Sequence, residues 1–166
     1  MRIVAIDPGI ESTGLVYMDE REIFTCKTIV HRDSVAQDGF TKAGKPRRLV
    51  DQRKLEKRAR DIAAAVRDFL VMHPHDAVVV EGFVQFTTGN RANADTFKTP
   101  YLCGYLAREL EGEAVTVQTS ADVLRGIDRK AAVDAYPGGK GCTNDHVRAA
   151  ACHGLYFLKN RGDKKC

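Results

Sequence analysis

The stretch Asp76-Ala77-Val78-Val79-Val80-Glu81 constrains the fold more than any other part of this chain. Its apolar core, dominated by Val, shows no alternation between a wet and a dry side. That is the pattern of a strand buried on both faces in the middle of a sheet. A strand of this kind needs helices above and below it, so the chain calls for an α/β plan. The flanking segments supply the helices. From Leu49 the apolar positions Leu55, Ala59, Ile62, Val66 and Phe69, with Ala63 and Leu70, recur at helical spacing until His73-Pro74 stops them. Phe97, Tyr101, Leu102, Tyr105, Leu106 and Leu110 mark the apolar side of a second helix.

Upstream, Arg2 to Asp7 is extended and rich in Ile and Val, Pro8-Gly9 turns the chain, and Thr13 to Met18 and Ile23 to Val30 resume the extended pattern. Short turns between three strands make an antiparallel meander. Residues 31 to 47 are polar, contain Gly39, Gly44 and Pro46, and read as a loop. Ala114 to Val117 is the next strand, and Thr119-Ser120-Ala121-Asp122 introduces a short helix through Ile127. A basic, Gly-rich loop spans Arg129 to Gly141, after which Thr143 or Asn144 caps a last helix running to about Lys159. The sum is a mixed five-stranded sheet, three antiparallel strands then two parallel, flanked by helices. At 166 residues this is one domain, residues 1–160, with a basic tail at 161–166.

No apolar run approaches the roughly 20 residues needed to cross a bilayer, and the N-terminal residues lack the features of a signal peptide. The expected location is the cytoplasm. The cysteines at 26, 103, 142, 152 and 166 are odd in number and form no Cys-x-x-Cys pair, so they read as free thiols. The formal charge is +4, with basic residues clustered at Lys42, Lys45, Arg47, Arg48, Arg53, Lys54, Lys57, Arg58 and Arg60 against Asp51 and Glu56. Such a cluster is either a solvated helix face or a phosphate-binding surface.

The chemistry lies at the strand ends. Asp7 closes the first strand and Glu81 closes the Val-rich one, and in open α/β sheets that edge is where ligands bind. If the two strands are parallel neighbours, both carboxylates enter one crevice and repel each other unless a cation lies between them. Oxygen ligands select Mg²⁺ or Mn²⁺. Asp145 and His146, at the start of the last helix, offer further ligands. Two ions roughly 4 Å apart are suited to phosphodiester hydrolysis. The bland alternative is that Asp7 begins a turn and Glu81 ends a strand at the surface.

Ile6-Asp7-Pro8-Gly9-Ile10-Glu11-Ser12-Thr13-Gly14 resembles the opening motif of RuvC-type Holliday-junction resolvases. Val80-Glu81-Gly82-Phe83 is similar to their second acidic motif, and His146-Val147-Arg148-Ala149-Ala150 to their closing helix. Thr99 to Leu110 resembles their interface helix, and Val117 to Val123 their fifth strand and the cap after it. The resemblance spans nearly the whole chain in order. It implies a ribonuclease-H-like fold, a homodimer, divalent metal at two ions per site, and paired nicks in four-way or branched DNA. Carried over by position, Asp7 and Glu81 become metal ligands, and His146 falls where an Asp or His contacts metal or the attacking water. The family places a further Asp three residues later, where this chain has Ala149. Either Asp145 substitutes from one turn earlier, or an Asp has been changed to Ala, or the protein binds junctions without cutting them.

Candidate phosphate contacts flanking the crevice are Arg91, Lys98, Arg129 and Lys140, each also readable as ordinary surface charge. Phe86 is the candidate for stacking on an unpaired base, whereas Phe83 reads as core. His31, His73, His75 and His153 show no ligand spacing and read as surface or packing residues. Two other functions remain open: a ribonuclease H-like nuclease acting on RNA, and a catalytically silent junction-binding protein. A sugar-kinase or ATPase fold, which shares an Asp-x-Gly loop, needs roughly twice this length.

Overall fold

The computed structural model describes residues 1–31, 36–40, 46–82, 98–124 and 128–160. Strand β1 (Ile3–Asp7) pairs antiparallel with β2 (Ser12–Met18), and β2 with β3 (Ile23–Val30). The Val-rich strand, β6 (Ala77–Gly82), lies parallel to β1 on its other side, and β7 (Val115–Thr119) lies parallel to β6. The order β3-β2-β1-β6-β7 is the expected mixed sheet of three antiparallel strands followed by two parallel ones.

One face of the sheet is covered by α1 (Gln52–Met72) and α2 (Lys98–Glu109). Asp51 caps α1, its carboxylate accepting from the backbone N–H groups of Arg53 and Lys54. The apolar stripe of α1, from Leu55 through Ile62 to Phe69, packs on Val4, Ile6, Val78 and Val80. The opposite face carries α5 (Asp145–Asn160), whose Val147, Ala150 and Ala151 pack on Ile3, Ala5 and Val79. Burying each Val, Leu, Ile or Phe contributes roughly 1.5–3 kcal/mol. Residues alternate between the two faces along β1 and β6, so the odd-numbered side chains point to α5. Asp7 and Glu81 continue that odd-numbered series.

The structure departs from the sequence reading in several places. Residues 31 to 47 are not simply a loop: β4 (Ala36–Phe40) and β5 (Pro46–Val50) pair as a separate antiparallel hairpin. Its sequence lacks a clean alternation, and Pro46 sits at the first strand position, where proline removes no needed donor. The stretch 129–141 is likewise not all loop. Asp128 accepts from the N–H of Ala131 and starts α4 (Arg129–Asp134), which follows α3 (Ser120–Leu124), and Gly139–Gly141 forms a 3-10 turn. Arg129 to Ala132 are good helix formers, and the glycines beyond them mask the signal. Finally, the cysteines are not all free. Cys26 on β3 and Cys142 are joined by a disulfide across 116 residues of sequence, with Cα atoms 5.9 Å apart, while Cys103 and Cys152 remain thiols. Only the fold brings such distant thiols together.

Among the described residues, no helix is long and apolar enough to cross a membrane. The tail at 161–166 lies outside them.

Candidate active site

The register Ile6↔Val80, carried one residue on, sets Asp7 beside Glu81, and Glu81 in turn pairs with Gln118 on β7. Three polar side chains thus stand in a row across the ends of three parallel strands. The turn after Asp7 is closed by Thr13, whose buried hydroxyl donates to Gly9 O at 2.8 Å and accepts from Gly9 N at 3.3 Å. Helix α5 crosses the row. Asn144 Oδ1 caps it by accepting from His146 N at 2.9 Å. The segment leading into it is pinned to the β2–β3 end by three contacts. The Tyr136 hydroxyl donates to Asp19 O, Ile23 N donates to Pro137 O, and Cys142 is bonded to Cys26. Gly14 and Gly9 allow the helix to come close. A Cβ on Gly14 would collide with the backbone of His146 and Val147, and one on Gly9 would stand 3.1 Å from His146 Cε1.

His146 Nδ1 lies 2.8 Å from Asp7 Oδ2. This bond raises the His146 pKa against the opposing effect of burial, and the charges of Asp7, Glu81 and Asp145 act in the same direction. The Asp7 carboxyl is pushed up to about 6, first by burial and then by Glu81, with the His146 contact opposing. Burial also pushes Glu81 upward, but its contacts with His153 and Asp7 and the charge of Arg129 outweigh that and hold it below its usual value. The pair therefore resists carrying two negative charges, and Asp7 is the member that takes up a proton. A hard divalent ion relieves the same repulsion, so the donor set fits Mg²⁺ or Mn²⁺. Among the described residues no three His, Cys, Asp or Glu side chains already converge on one point. To bind an ion with both, Asp7 and His146 must loosen their mutual contact.

Asp145 is not part of this group. Its side chain is 91% exposed and its nearest partner is Arg148, at 3.5 Å. Lys98 lies at the start of α2, 3.9 Å from Glu11 and largely shielded from solvent. Arg129 and Lys140 are exposed, and Arg129 is near enough to Glu81 to act on its charge. Phe86 and Arg91, together with Phe83, lie outside the described residues.

His153, read from the sequence as a surface or packing residue, is buried beside this group. It is fully buried on α5, with Nδ1 3.1 Å from Gln118 Oε1 and Nε2 3.5 Å from Glu81 Oε2. The available signal was its spacing: seven residues after His146, two helical turns on, it shares that residue's face. His73, by contrast, is a packing residue, stacked on Phe69 and Tyr17 with ring centroids 4.1 and 4.9 Å away.

No family model matches the sequence, and no curated protein does. Solved structures do. The chain superimposes on Thermus thermophilus RuvC in complex with a Holliday junction substrate with a TM-score of 0.68 at 16% identity, covering 99% of this chain and 96% of that one. A second Thermus thermophilus RuvC structure gives 0.60 at 20% identity, over 98% and 97%. The yeast mitochondrial Holliday junction resolvase Ydc2 gives 0.52 at 11%, over 97% and 79%. At these identities the likeness establishes the fold, which is the ribonuclease-H-like one.

Proposed function

We propose that this chain is a structure-selective endonuclease that resolves four-way DNA junctions by divalent-metal-dependent phosphodiester hydrolysis. The observation that carries the reading is the Asp7–Glu81 pair at the ends of two parallel strands, with His146 on Asp7. The fold that holds it is the fold of a resolvase solved on a Holliday junction. Asp7 and Glu81 are the residues to hold Mg²⁺ or Mn²⁺, two ions per site. Bound there, such ions supply the charge that makes water nucleophilic and stabilises the leaving oxygen. His146, anchored through Nδ1, keeps its partly exposed ring beside the carboxylates, where it orients the attacking water and holds a proton. Arg129 and Lys140, on the helix and turn that lead into α5, meet phosphates of the junction arms, with Lys98 at the opposite rim. Phe86 and Arg91 belong to the same proposal as stacking and phosphate contacts. The nuclease is a single domain, residues 1–160, with a basic tail at 161–166, acting in the cytoplasm.

Two-fold junctions suit a homodimer. The outer side of α2 is a fitting face, because Tyr101 is exposed there, its ring 5.5 Å from that of the half-buried Tyr105, and Gly104 faces open space. Gly104→Arg should turn a dimer into a monomer without unfolding it, as read by light scattering and circular dichroism.

One observation favours a second reading. Ala149 is buried on α5 where the resemblance places an Asp, which is what a silent junction-binding protein would show. A single assay separates the readings, using a labelled four-way junction, a linear duplex and an RNA–DNA hybrid with Mg²⁺ or Mn²⁺. Paired nicks in the junction are expected. Tight binding without nicks would establish the silent protein, and preferential cutting of the hybrid would establish a ribonuclease.

A further inference from the structure

We infer that His153 is a metal-binding residue of this site, standing in from one helical turn further along α5 for the carboxylate that Ala149 lacks. The inference rests on the metal-dependent nuclease reading and assigns its missing ligand.

Its basis is an unsatisfied atom. His153 is fully buried, and Gln118 Oε1 takes up its Nδ1–H at 3.1 Å. In the neutral ring this fixes the tautomer that leaves a lone pair on Nε2. That nitrogen has no hydrogen-bond partner, and the atom in front of it is Glu81 Oε2 at 3.5 Å, beyond a well-formed hydrogen bond. A bare imidazole nitrogen facing a carboxylate oxygen inside a protein is costly unless something positive lies between them: a shared proton in the metal-free protein, in keeping with the lowered Glu81 carboxyl, or a divalent ion in its place. Gln118 plays the part that outer partners of metal-bound histidines usually play, holding the ring by its other nitrogen.

The spacing supports the same assignment. Asp7, Glu81 and Gln118 stand on three adjacent strands, so the row spans two strand separations, about 10 Å. His146 and His153 are seven residues apart on α5, again about 10 Å along the axis. The helix therefore lays one imidazole at the Asp7 end of the row and the other at the Glu81 end. Ala149, three residues after His146 and four before His153, lies between them on the same side and contributes only a methyl group. Asp145, the other candidate substitute, is turned toward Arg148. A site with imidazole in place of a carboxylate should favour Mn²⁺ over Mg²⁺ more strongly than an all-oxygen site.

The test is titration of the full-length protein with Mn²⁺ alone, read by calorimetry and by pulsed electron paramagnetic resonance, which detects an imidazole nitrogen bonded to the ion. Wild type should bind Mn²⁺ with nitrogen coupling. His146→Gln should retain coupling, whereas His153→Gln should lose or sharply reduce it and bind Mn²⁺ more weakly. Gln118→Leu, which leaves the ring in place, should weaken Mn²⁺ by roughly 10–100-fold while coupling persists. If His153→Gln does not fold, Gln118→Leu decides, and unchanged affinity there overturns the assignment. Coupling and affinity that survive His153→Gln overturn it as well, and leave the nuclease reading intact. If wild type binds no Mn²⁺ at all, both fall together.

Discussion

Asp7→Asn is expected to lower junction cleavage by roughly a thousandfold or more, about 4 kcal/mol of barrier, while making the metal-free protein more stable at neutral pH. The two effects share a cause. Asn has nearly the shape of Asp and can still accept from His146, but it carries no charge for a divalent ion to bind. The same charge is a burden without the ion, because the Asp7 carboxyl is pushed from its usual 3.8 to about 6 by burial and by Glu81. A carboxyl whose pKa is raised on folding favours the native state fully below its unfolded pKa. That contribution is lost as pH rises through the folded value, here between about pH 4 and pH 6. The difference corresponds to at most about 3 kcal/mol. For a domain of this size that is about 6–12 °C in Tm, reduced by whatever His146 recovers as an imidazolium. Thermal melts in chelator should therefore show Asp7→Asn gaining on wild type as pH rises from 4 to 7. Added Mn²⁺ should raise Tm for wild type and much less for the variant. A variant that is no more stable than wild type at pH 7 would contradict the electrostatic account of the pair.

Gly14→Ala should damage the fold and the site together. Gly14 sits on β2 opposite Asp7, and the added Cβ would fall on the backbone carbonyl of His146 and the N–H of Val147. Backbone cannot swing aside as a side chain does, so either α5 shifts outward or the strand buckles. Overpacking costs typically 1–3 kcal/mol, and a backbone clash between two packed elements belongs at or above the upper end. The site suffers beyond that, because a displacement of about 1 Å at His146 can cost roughly a hundredfold in rate. Chemical denaturation and the cleavage assay measure the two losses separately. Gly104→Ala provides the contrast. Within one chain its Cβ would meet nothing within 4 Å, so for the monomer, removing a helix-interior glycine should be neutral or stabilising by about 0.5–1 kcal/mol.

What could be read from the chain beforehand follows physical lines. The Val-rich run of β6 and the Ile-Val run of β1 announce themselves because both faces are buried, and a carboxylate at the end of an otherwise apolar strand is conspicuous for the same reason. Glu81 and Asp7 were legible on those grounds, as was the caging of the sheet by α1, α2 and α5. The β4–β5 hairpin was not, because Gly39 and Pro46 are turn residues by composition and its strands show no two-residue alternation. Strand β7 was read as ending at Val117, whereas it continues to Thr119, and those added residues put Gln118 next to Glu81. The Cys26–Cys142 bond depends on which distant segments meet, which no local pattern reports; for His153 the spacing shows only the helix face shared with His146, not the Glu81 and Gln118 that it meets. Asp145 illustrates the converse. An acid in a helix's first turn suits both a metal and the helix dipole, and the fold turns it toward solvent and Arg148.

The contact between Asp7 and His146 joins residues 139 positions apart. A chain emerging from the ribosome displays both carboxylates, and could lay down the β1–β6 pairing, well before α5 has been made. Until that helix docks, neither imidazole stands beside the carboxylates, and the sheet face that Val147, Ala150 and Ala151 cover remains bare. Under the proposed nuclease function, cutting ability would arrive in one step with completion of the core, and an unfinished or clipped polypeptide would lack it.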